Sequence, residues 1–187
     1  MAGDGRTQIE TKRLLLRPHL AGDFEGYTAL WAGAPDRPAR QSPLGDLNAE
    51  EAWARLLRFI GHWKVFGYGP FLAIERTSGT VVAEVGLARF RRGVGEDFDR
   101  APEAMWKIDD RHQGKGIASE AMADIMPWFD ARGEEGRTVC MIHATNTASI
   151  RIADRLGFQR FGQAIHRGNP VLLFERIRPI SEDSGRS

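Results

Sequence analysis

Cysteine is nearly absent from this sequence, since Cys140 is its single copy among 187 residues. One cysteine excludes an intramolecular disulfide and offers no cysteine framework for zinc. The five histidines show no metal-ligand spacing either; they are His19, His62, His112, His143 and His166. The sequence therefore implies no metal site.

Long apolar runs and an excess of one charge are also missing. No apolar run reaches about 18 residues and no signal-peptide core is present, so we expect no membrane span and a cytoplasmic location. Lys and Arg total 26 against 25 Asp and Glu, which gives a formal net charge of +1. This balance favours neither nucleic acid nor an anionic membrane as a partner, and any phosphate site must be local.

Size and composition are those of one globular domain. The chain has 187 residues, of which 42% are hydrophobic and 27% are charged. Such a chain can bury a sizeable core but is too short for two comfortable domains. We predict a single domain over residues 8–178, with flexible ends at 1–7 and 179–187.

Apolar periodicity and turn residues predict a mixture of strands and helices. We predict strands over residues 9–17, 71–76, 81–90, 103–108, 138–144, 158–166 and 170–176, and helices over residues 23–32, 48–67, 116–129 and 147–156. The segments 33–47 and 91–102 are predicted loops. Asp23 is expected to cap the first helix, and Asn48 with Glu51 has the pattern of a capping box.

The order of these elements predicts a mixed α/β fold. The strand, helix and strand between residues 103 and 144 require a parallel pair with a crossover connection. The neighbouring strands 71–76 and 81–90 are joined by a short turn containing Gly79, which predicts an antiparallel hairpin. These two pairings together predict a central parallel unit inside an otherwise antiparallel sheet.

A glycine turn between the strand at 103–108 and the following helix is the most informative segment. It comprises Arg111, His112, Gln113, Gly114, Lys115, Gly116, Ile117 and Ala118. Glycine lets a ligand approach the backbone, and the first N–H groups of a helix attract anions, so this turn can hold a pyrophosphate. Taken alone, the two glycines are more simply explained as forming only a tight strand-to-helix turn.

Three segments together resemble the GNAT N-acetyltransferase superfamily, in its RimJ/RimL-like branch. The first is Arg-x-x-Gly-x-Gly at 111–116, the second is Asn146-Thr147-Ala148-Ser149 with Arg155-Leu156-Gly157-Phe158, and the third is the opening segment at 11–17. They occur in the family's order and spacing, and the resemblance covers residues 8–176. The glycine turn lacks the earlier glycine and the Lys-Ser/Thr pair of a P-loop, and it lacks the third glycine of a dinucleotide fingerprint. Both of these phosphate-binding motifs are therefore disfavoured.

The resemblance implies an α/β (mixed) GNAT-like fold, in which a mostly antiparallel twisted sheet has a central parallel β-α-β unit that binds acyl-CoA, with helices on both faces. It implies an N-acetyltransferase that moves acetyl from acetyl-CoA to an amine by direct attack in a ternary complex. The acceptor is a protein N-terminus or a small molecule, and homodimers are common in the family. The alternative is a non-catalytic GNAT-fold module that binds acyl-CoA.

The resemblance also assigns residues. The expected acetyl-CoA ligands are Trp106, Lys107, Ile108, residues 111–118 as named above, Asn146 and Ser149, with a backbone N–H near Ile108 as oxyanion donor. Asn146 either caps its helix or binds the pantetheine arm, and we favour the latter.

Two residues are the expected catalytic groups. Glu103 is the candidate base, Glu84 is a weaker alternative, and an exposed strand-end carboxylate is the competing interpretation of Glu103. Many family members have a proton-donating tyrosine where this chain has Ala153, which leaves Ser149 near the thiol. Ser149 could equally be only a first-turn helix hydroxyl.

The acceptor pocket is expected at the two loops, because variable loops carry specificity. Glu96, Asp97 and Asp99 in the second loop could attract a cationic amine, although a solvated loop explains them more simply. The tryptophans are expected in the core, apart from Trp106 beside the acyl site.

Overall fold

The structure is a computed structural model that describes residues 7–31 and 47–178. Within them, eight strands form one sheet in the order β1-β2-β3-β4-β5-β6-β8-β7. The strands are β1 (Ile9–Glu10), β2 (Leu14–Arg17), β3 (Pro70–Glu75), β4 (Val81–Ala88), β5 (Glu103–Ile108), β6 (Arg137–His143), β7 (Gln159–His166) and β8 (Asn169–Ile177). Among these described strands only β5 and β6 pair in parallel, so the predicted mixed sheet is confirmed.

Helices cover both faces of the sheet. They are α1 (Phe24–Trp31), α2 (Ala49–Phe66), α3 (Glu96–Arg100), α4 (Ile117–Asp130) and α5 (Thr147–Arg155). The apolar sides of α4 and α5 share one buried cluster with strand residues such as Val85 and Ala104. On the opposite face, α1 and α2 bury Leu72, and α3 packs Phe98 against Val139. No helix within the described ranges is long and apolar enough to cross a membrane.

The predicted first strand is wrong at its centre, because residues 9–17 form two short antiparallel strands instead of one. The backbone N–H of Thr11 donates to the Leu14 carbonyl at 2.9 Å, and the Thr11 hydroxyl oxygen accepts from the Leu14 N–H at 2.9 Å. A hydroxyl that bonds the nearby backbone competes with a continuous strand. The resulting turn places Arg13 beside α4, as described below.

Two further predictions need correction. Asp23 does not cap α1; it ends a short 3-10 turn, where it accepts from the Leu20 N–H at 2.7 Å and pairs with Arg17. The predicted loop 91–102 contains the short helix α3, which buries Phe98. Of the other predicted loop, 33–47, all but Leu47 lies outside the described residues, as do the chain ends 1–6 and 179–187.

The helix boundaries that frame the site follow the sequence signals closely. Asn48 caps α2, where its side chain accepts from the Glu51 N–H at 3.0 Å, and Gly67 ends that helix at φ +68°. Gly116 starts α4, and Gly157, at φ +83°, follows α5. These capping interactions explain why the elements begin and end where the sequence indicates.

Candidate functional site

The parallel strands β5 and β6 separate almost as soon as they meet. They pair only at Glu103 with Val139, whereas β5 pairs with β4 along its whole length. The Asp109 N–H donates to the Val82 carbonyl at 2.9 Å, and in an antiparallel ladder the backbone groups alternate in direction. The N–H and C=O groups of Trp106 and Ile108 therefore point away from β4, into the gap beside β6.

The glycine turn lies at the wide end of this gap and opens α4. Gly114 and Gly116 have φ values of +75° and +76°, a region that other residues adopt only with strain. A Cβ built on Gly114 would meet nothing within 4 Å, so the space beside it is open. Gly116 is the N-cap and offers no side-chain acceptor, which leaves the first N–H groups of α4, including those of Ile117 and Ala118, to a ligand.

Asp109 organises the start of the turn. Its carboxylate accepts from the Arg111 N–H at 2.8 Å and from the Arg111 guanidinium at 2.6 Å, and these bonds lower its pKa to about 2. Nδ1 of His112 is buried, has no hydrogen-bond partner among the residues that the structure describes, and lies 3.6 Å from Asp109. The Gln113 amide donates to Asp110, and the Lys115 side chain is exposed. The exposed cationic side chains of Arg111 and Lys115 therefore lie beside the backbone N–H groups of the turn.

A second support of the glycine turn comes from the turn between β1 and β2. The Arg13 guanidinium donates to the Lys115 carbonyl at 2.9 Å and to Glu120 on α4 at 2.6 Å. Glu120 also accepts from the Arg13 backbone N–H at 2.8 Å. Arg13 belongs to the opening motif at 11–17, but its residue type and position alone predict no role for it. The structure makes it a brace between the sheet edge and the turn.

Trp106 and Ser149 join β5 to α5 beside the gap. The Trp106 indole N–H donates to the Ser149 hydroxyl oxygen at 3.0 Å, and both side chains are half-buried. Because this hydroxyl accepts from the indole, its own proton is left for another acceptor. The Asn146 side-chain oxygen accepts from the Ser149 N–H at 3.1 Å, so Asn146 caps α5 in this structure.

Glu103 lies where β5 and β6 meet, on the face opposite Trp106, and is not an exposed strand-end carboxylate. Its side chain is buried and accepts two hydrogen bonds from Arg92, both at 2.8 Å. Burial raises the pKa of Glu103 above its ordinary value, although Arg92 opposes the rise. A carboxylate with this pKa is a better base near neutral pH than an exposed one.

Glu84 is unsuited to act as a base. It is fully buried and binds Arg55 at 2.8 Å, the Tyr27 hydroxyl at 2.8 Å and His19 at 2.9 Å. Burial alone would raise its pKa, but Arg55 and the His19 hydrogen bond lower it to about 2. This network instead fastens α1 and α2 to β4.

Two other groups of predicted residues lie away from the gap. The Lys107 side chain points to the face of α1, where its ammonium lies 5.6 Å from the Trp31 ring centre. Of the three acids in the second loop, Asp99 accepts from the Arg92 and Gly93 N–H groups at 2.8 Å, while Glu96 and Asp97 pair with Arg100 and Arg137. The contacts of these acids are thus made around α3, away from the gap.

Comparison with protein families gives one match that spans most of the chain. Residues 13–159 match the family model described as the acetyltransferase (GNAT) domain. This range contains β5, the glycine turn, α4 and α5, and therefore the whole site described above.

Comparisons with individual proteins agree with this match. A solved structure from Bordetella pertussis, assigned to the GnaT acetyltransferase family, is 33% identical, has a TM-score of 0.82, and the match covers 91% of this chain and 99% of that one. The ribosomal-protein-S5-alanine acetyltransferase of Vibrio fischeri shares the fold at 19% identity and a TM-score of 0.72, over 96% of this chain and 100% of that one. The uncharacterised protein YkkB of Bacillus subtilis is 23% identical over 92% of this chain and 97% of its own.

Proposed function

The chain belongs to the GNAT acetyltransferase family, and from this premise we propose that it is an N-acetyltransferase that transfers acetyl from acetyl-CoA to an amine by direct attack in a ternary complex. One observation carries the proposal: the open edge of β5 leads directly to the glycine turn at the start of α4. An extended pantetheine arm can lie along the open edge of β5, and a pyrophosphate can bind at the glycine turn.

The glycine turn is the proposed pyrophosphate site. The N–H groups at the start of α4 would donate to phosphate oxygens, while Arg111 and Lys115 add positive charge. Because Gly114 and Gly116 hold positive φ values and lack side chains, the backbone can approach the phosphates closely. Arg13 would keep the turn in place through the Lys115 carbonyl.

The gap between β5 and β6 is the proposed site of pantetheine and thioester. The backbone groups of Trp106 and Ile108 that face the gap can pair with the amides of pantetheine, and an N–H there can stabilise the oxyanion formed during transfer. Ser149 can donate its proton to the departing thiolate, since its oxygen already accepts from Trp106.

Glu103 is the proposed general base, directly or through water. A free α-amine has a pKa of about 7.7 to 8.0, so part of it must lose a proton before it attacks. Arg92 binds both oxygens of Glu103 but leaves each with a further lone pair. The burial that raises the pKa of Glu103 brings this carboxylate closer to the range of a useful base.

The acceptor is a protein N-terminus or a small-molecule amine. The fold shared with ribosomal-protein acetyltransferases and the motifs of the RimJ/RimL-like branch are compatible with the first. Thiol release from acetyl-CoA in the presence of peptides, polyamines, aminoglycosides and amino acids tests the proposal. Release that depends on an amine is expected. Binding of acetyl-CoA without release for any amine would favour the non-catalytic module instead.

A further inference from the structure

A cavity of about 230 Å³ lies beside the candidate site, between the second half of α2 and the end of β4. Its lining residues include four aromatic residues and two arginines: Phe59, Phe66, Phe90, His62, Arg58 and Arg89. The space is small and mostly apolar, with cationic residues in its lining. It suits one apolar group that carries a negative charge.

Arg58 is the member of an arginine cluster that has no carboxylate partner among the described residues. Arg55 pairs with Glu84 and Arg92 pairs with Glu103, each at 2.8 Å, and Arg89 pairs with Glu135. Arg58 forms no ion pair with any residue in the ranges 7–31 and 47–178. Its guanidinium carbon lies 4.9 Å from the Phe59 ring centre and 5.5 Å from that of Phe90.

The charges around Arg58 favour an added anion. Arg58 is exposed as a residue, but its guanidinium is partly buried. This burial lowers the pKa of Arg58, and repulsion from Arg55 and Arg92 lowers it further. A bound carboxylate would offset this repulsion and occupy the fork of donors that guanidinium presents.

The remaining polar groups of the cavity are already bonded. Nδ1 of His62 donates to the Tyr68 carbonyl at 2.8 Å, and Nε2 accepts from the Arg89 N–H at 3.0 Å, so the ring is neutral. The Arg89 guanidinium binds Glu135 and the Arg100 carbonyl. Among the described residues that line the cavity, Arg58 is therefore the cationic group that is left for a ligand.

Phe90 links the cavity to the candidate base. Its ring lines the cavity, and the guanidinium carbon of Arg92 lies 4.1 Å from its centre. Arg92 in turn binds both oxygens of Glu103. The cavity is thus connected, through Phe90 and then Arg92, to the carboxylate that the proposed mechanism uses.

We propose that this cavity binds a carboxylate of the acceptor, with Arg58 as its ion-pair partner, so that the acceptor is an amine that also bears a carboxylate and an apolar part. The inference rests on the proposed function and names the acceptor class for it. The carboxylate can belong to a small amino acid or to an acidic side chain near a peptide N-terminus, and the experiment separates these two sources.

The first test compares matched acceptors that differ only in one charge. Amino acids and linear amino carboxylates are each paired with their carboxamides, and peptides with Glu near the N-terminus are paired with the same peptides carrying Gln. We expect the carboxylate member to have the lower KM, by about tenfold or more, in one of the two series. The Arg58→Gln variant should lose this preference, while Lys64→Gln, which removes an exposed charge from the same helix, should keep it.

The second test needs no turnover. Benzoate and benzamide are titrated into the acetyl-CoA-saturated protein and followed by NMR, with folding of each variant checked by circular dichroism. We expect benzoate to bind about tenfold more tightly than benzamide in the wild type and Lys64→Gln, but not in Arg58→Gln. Equal binding of both probes, or a preference that survives in Arg58→Gln, would overturn the proposed subsite even if transfer occurs. A normal benzoate preference without transfer to any amine would support the subsite and count against the proposed function.

Discussion

The indole N–H of Trp106 donates to the hydroxyl oxygen of Ser149 at 3.0 Å, across the gap where the parallel strands separate. This bond connects β5, which has an open backbone edge, to the first turn of α5. It directs the free proton of Ser149 away from the indole. A hydroxyl arranged in this way can donate to a thiolate bound in the gap.

Replacement of this hydroxyl tests the role of Ser149. For Ser149→Ala we expect kcat to fall about tenfold, less than the 10²- to 10⁴-fold typical of acid–base groups, because a thiol with a pKa of about 8.5 leaves readily without a donor. The dissociation constant of acetyl-CoA should change little. Steady-state kinetics and calorimetry measure both quantities, with Ser78→Ala as a control at a distant exposed turn. A change confined to acetyl-CoA affinity would contradict the role as donor.

Removal of the charge of Glu103 tests the general base. Because the pKa of this carboxylate is raised above its ordinary 4.5, the wild-type rate should fall as the pH is lowered through that pKa and the base becomes protonated. Glu103→Gln should lower kcat by about 10²-fold or more and abolish this acid limb. The control is Glu175→Gln, another strand carboxylate paired with an arginine. An unchanged pH profile in Glu103→Gln would reject this assignment.

Most of the fold can be predicted from local sequence patterns. Asn48, Gly67, Gly116 and Gly157 determine helix boundaries through short-range geometry, and both the mixed sheet and the family are confirmed. The errors arise where side chains compete with periodicity. The Thr11 hydroxyl, for example, binds the backbone of Leu14 and interrupts a predicted strand. In the polar segment 91–102, which is a predicted loop, the helix α3 forms and buries Phe98.

The site is less accessible to sequence reasoning, because its geometry depends on distant partners. Arg13 and Glu120 are 107 residues apart in sequence yet form an ion pair. That Arg58 has no ion-pair partner within residues 7–31 and 47–178 becomes visible only when the partners of the neighbouring arginines are known. The direction of the Trp106 and Ile108 backbone groups follows from the register with β4, which no residue type reveals. The assigned functional residues remain predictions.

A charge placed in the glycine turn tests the pyrophosphate site. Asn and Asp tolerate the positive φ of Gly114 better than most residues do and differ mainly in charge, so Gly114→Asn and Gly114→Asp form a matched pair. We expect Asp to weaken acetyl-CoA binding at least about tenfold relative to Asn, through repulsion of the phosphates. Calorimetry at two salt concentrations should show this difference shrinking as salt rises. Equal affinities would argue against a pyrophosphate at this turn.

The buried Glu84 network predicts a dependence of stability on pH. The folded pKa of Glu84, about 2, lies below its ordinary 4.5, so its stabilising effect is present above pH 4.5 and is lost as the pH falls towards 2. Glu84→Gln leaves Arg55 buried without its partner and should lower the free energy of unfolding by about 3–5 kcal/mol at pH 7. This deficit should shrink at pH 3.

Urea denaturation at the two pH values measures the effect. Glu96→Gln, which breaks the exposed Arg100 pair, should change the free energy of unfolding by less than about 1 kcal/mol at both. A Glu84→Gln deficit that is equally large at pH 3 would show that the charge of Glu84 is not its source.

The Arg13 brace predicts a long-range effect on ligand affinity. Arg13 holds the Lys115 carbonyl at 2.9 Å and Glu120 at 2.6 Å, so its loss should free the glycine turn to move and weaken acetyl-CoA binding by about tenfold, the effect of one charge-assisted hydrogen bond. Arg13→Gln is compared with Arg76→Gln, whose guanidinium binds the Thr11 carbonyl in the same region but does not reach α4. Calorimetry should show weaker binding only for Arg13→Gln, and hydrogen exchange should show faster exchange at residues 114–119. Because Arg13 also carries charge, a loss of affinity without faster exchange would mean that it attracts the phosphates directly and does not hold the turn.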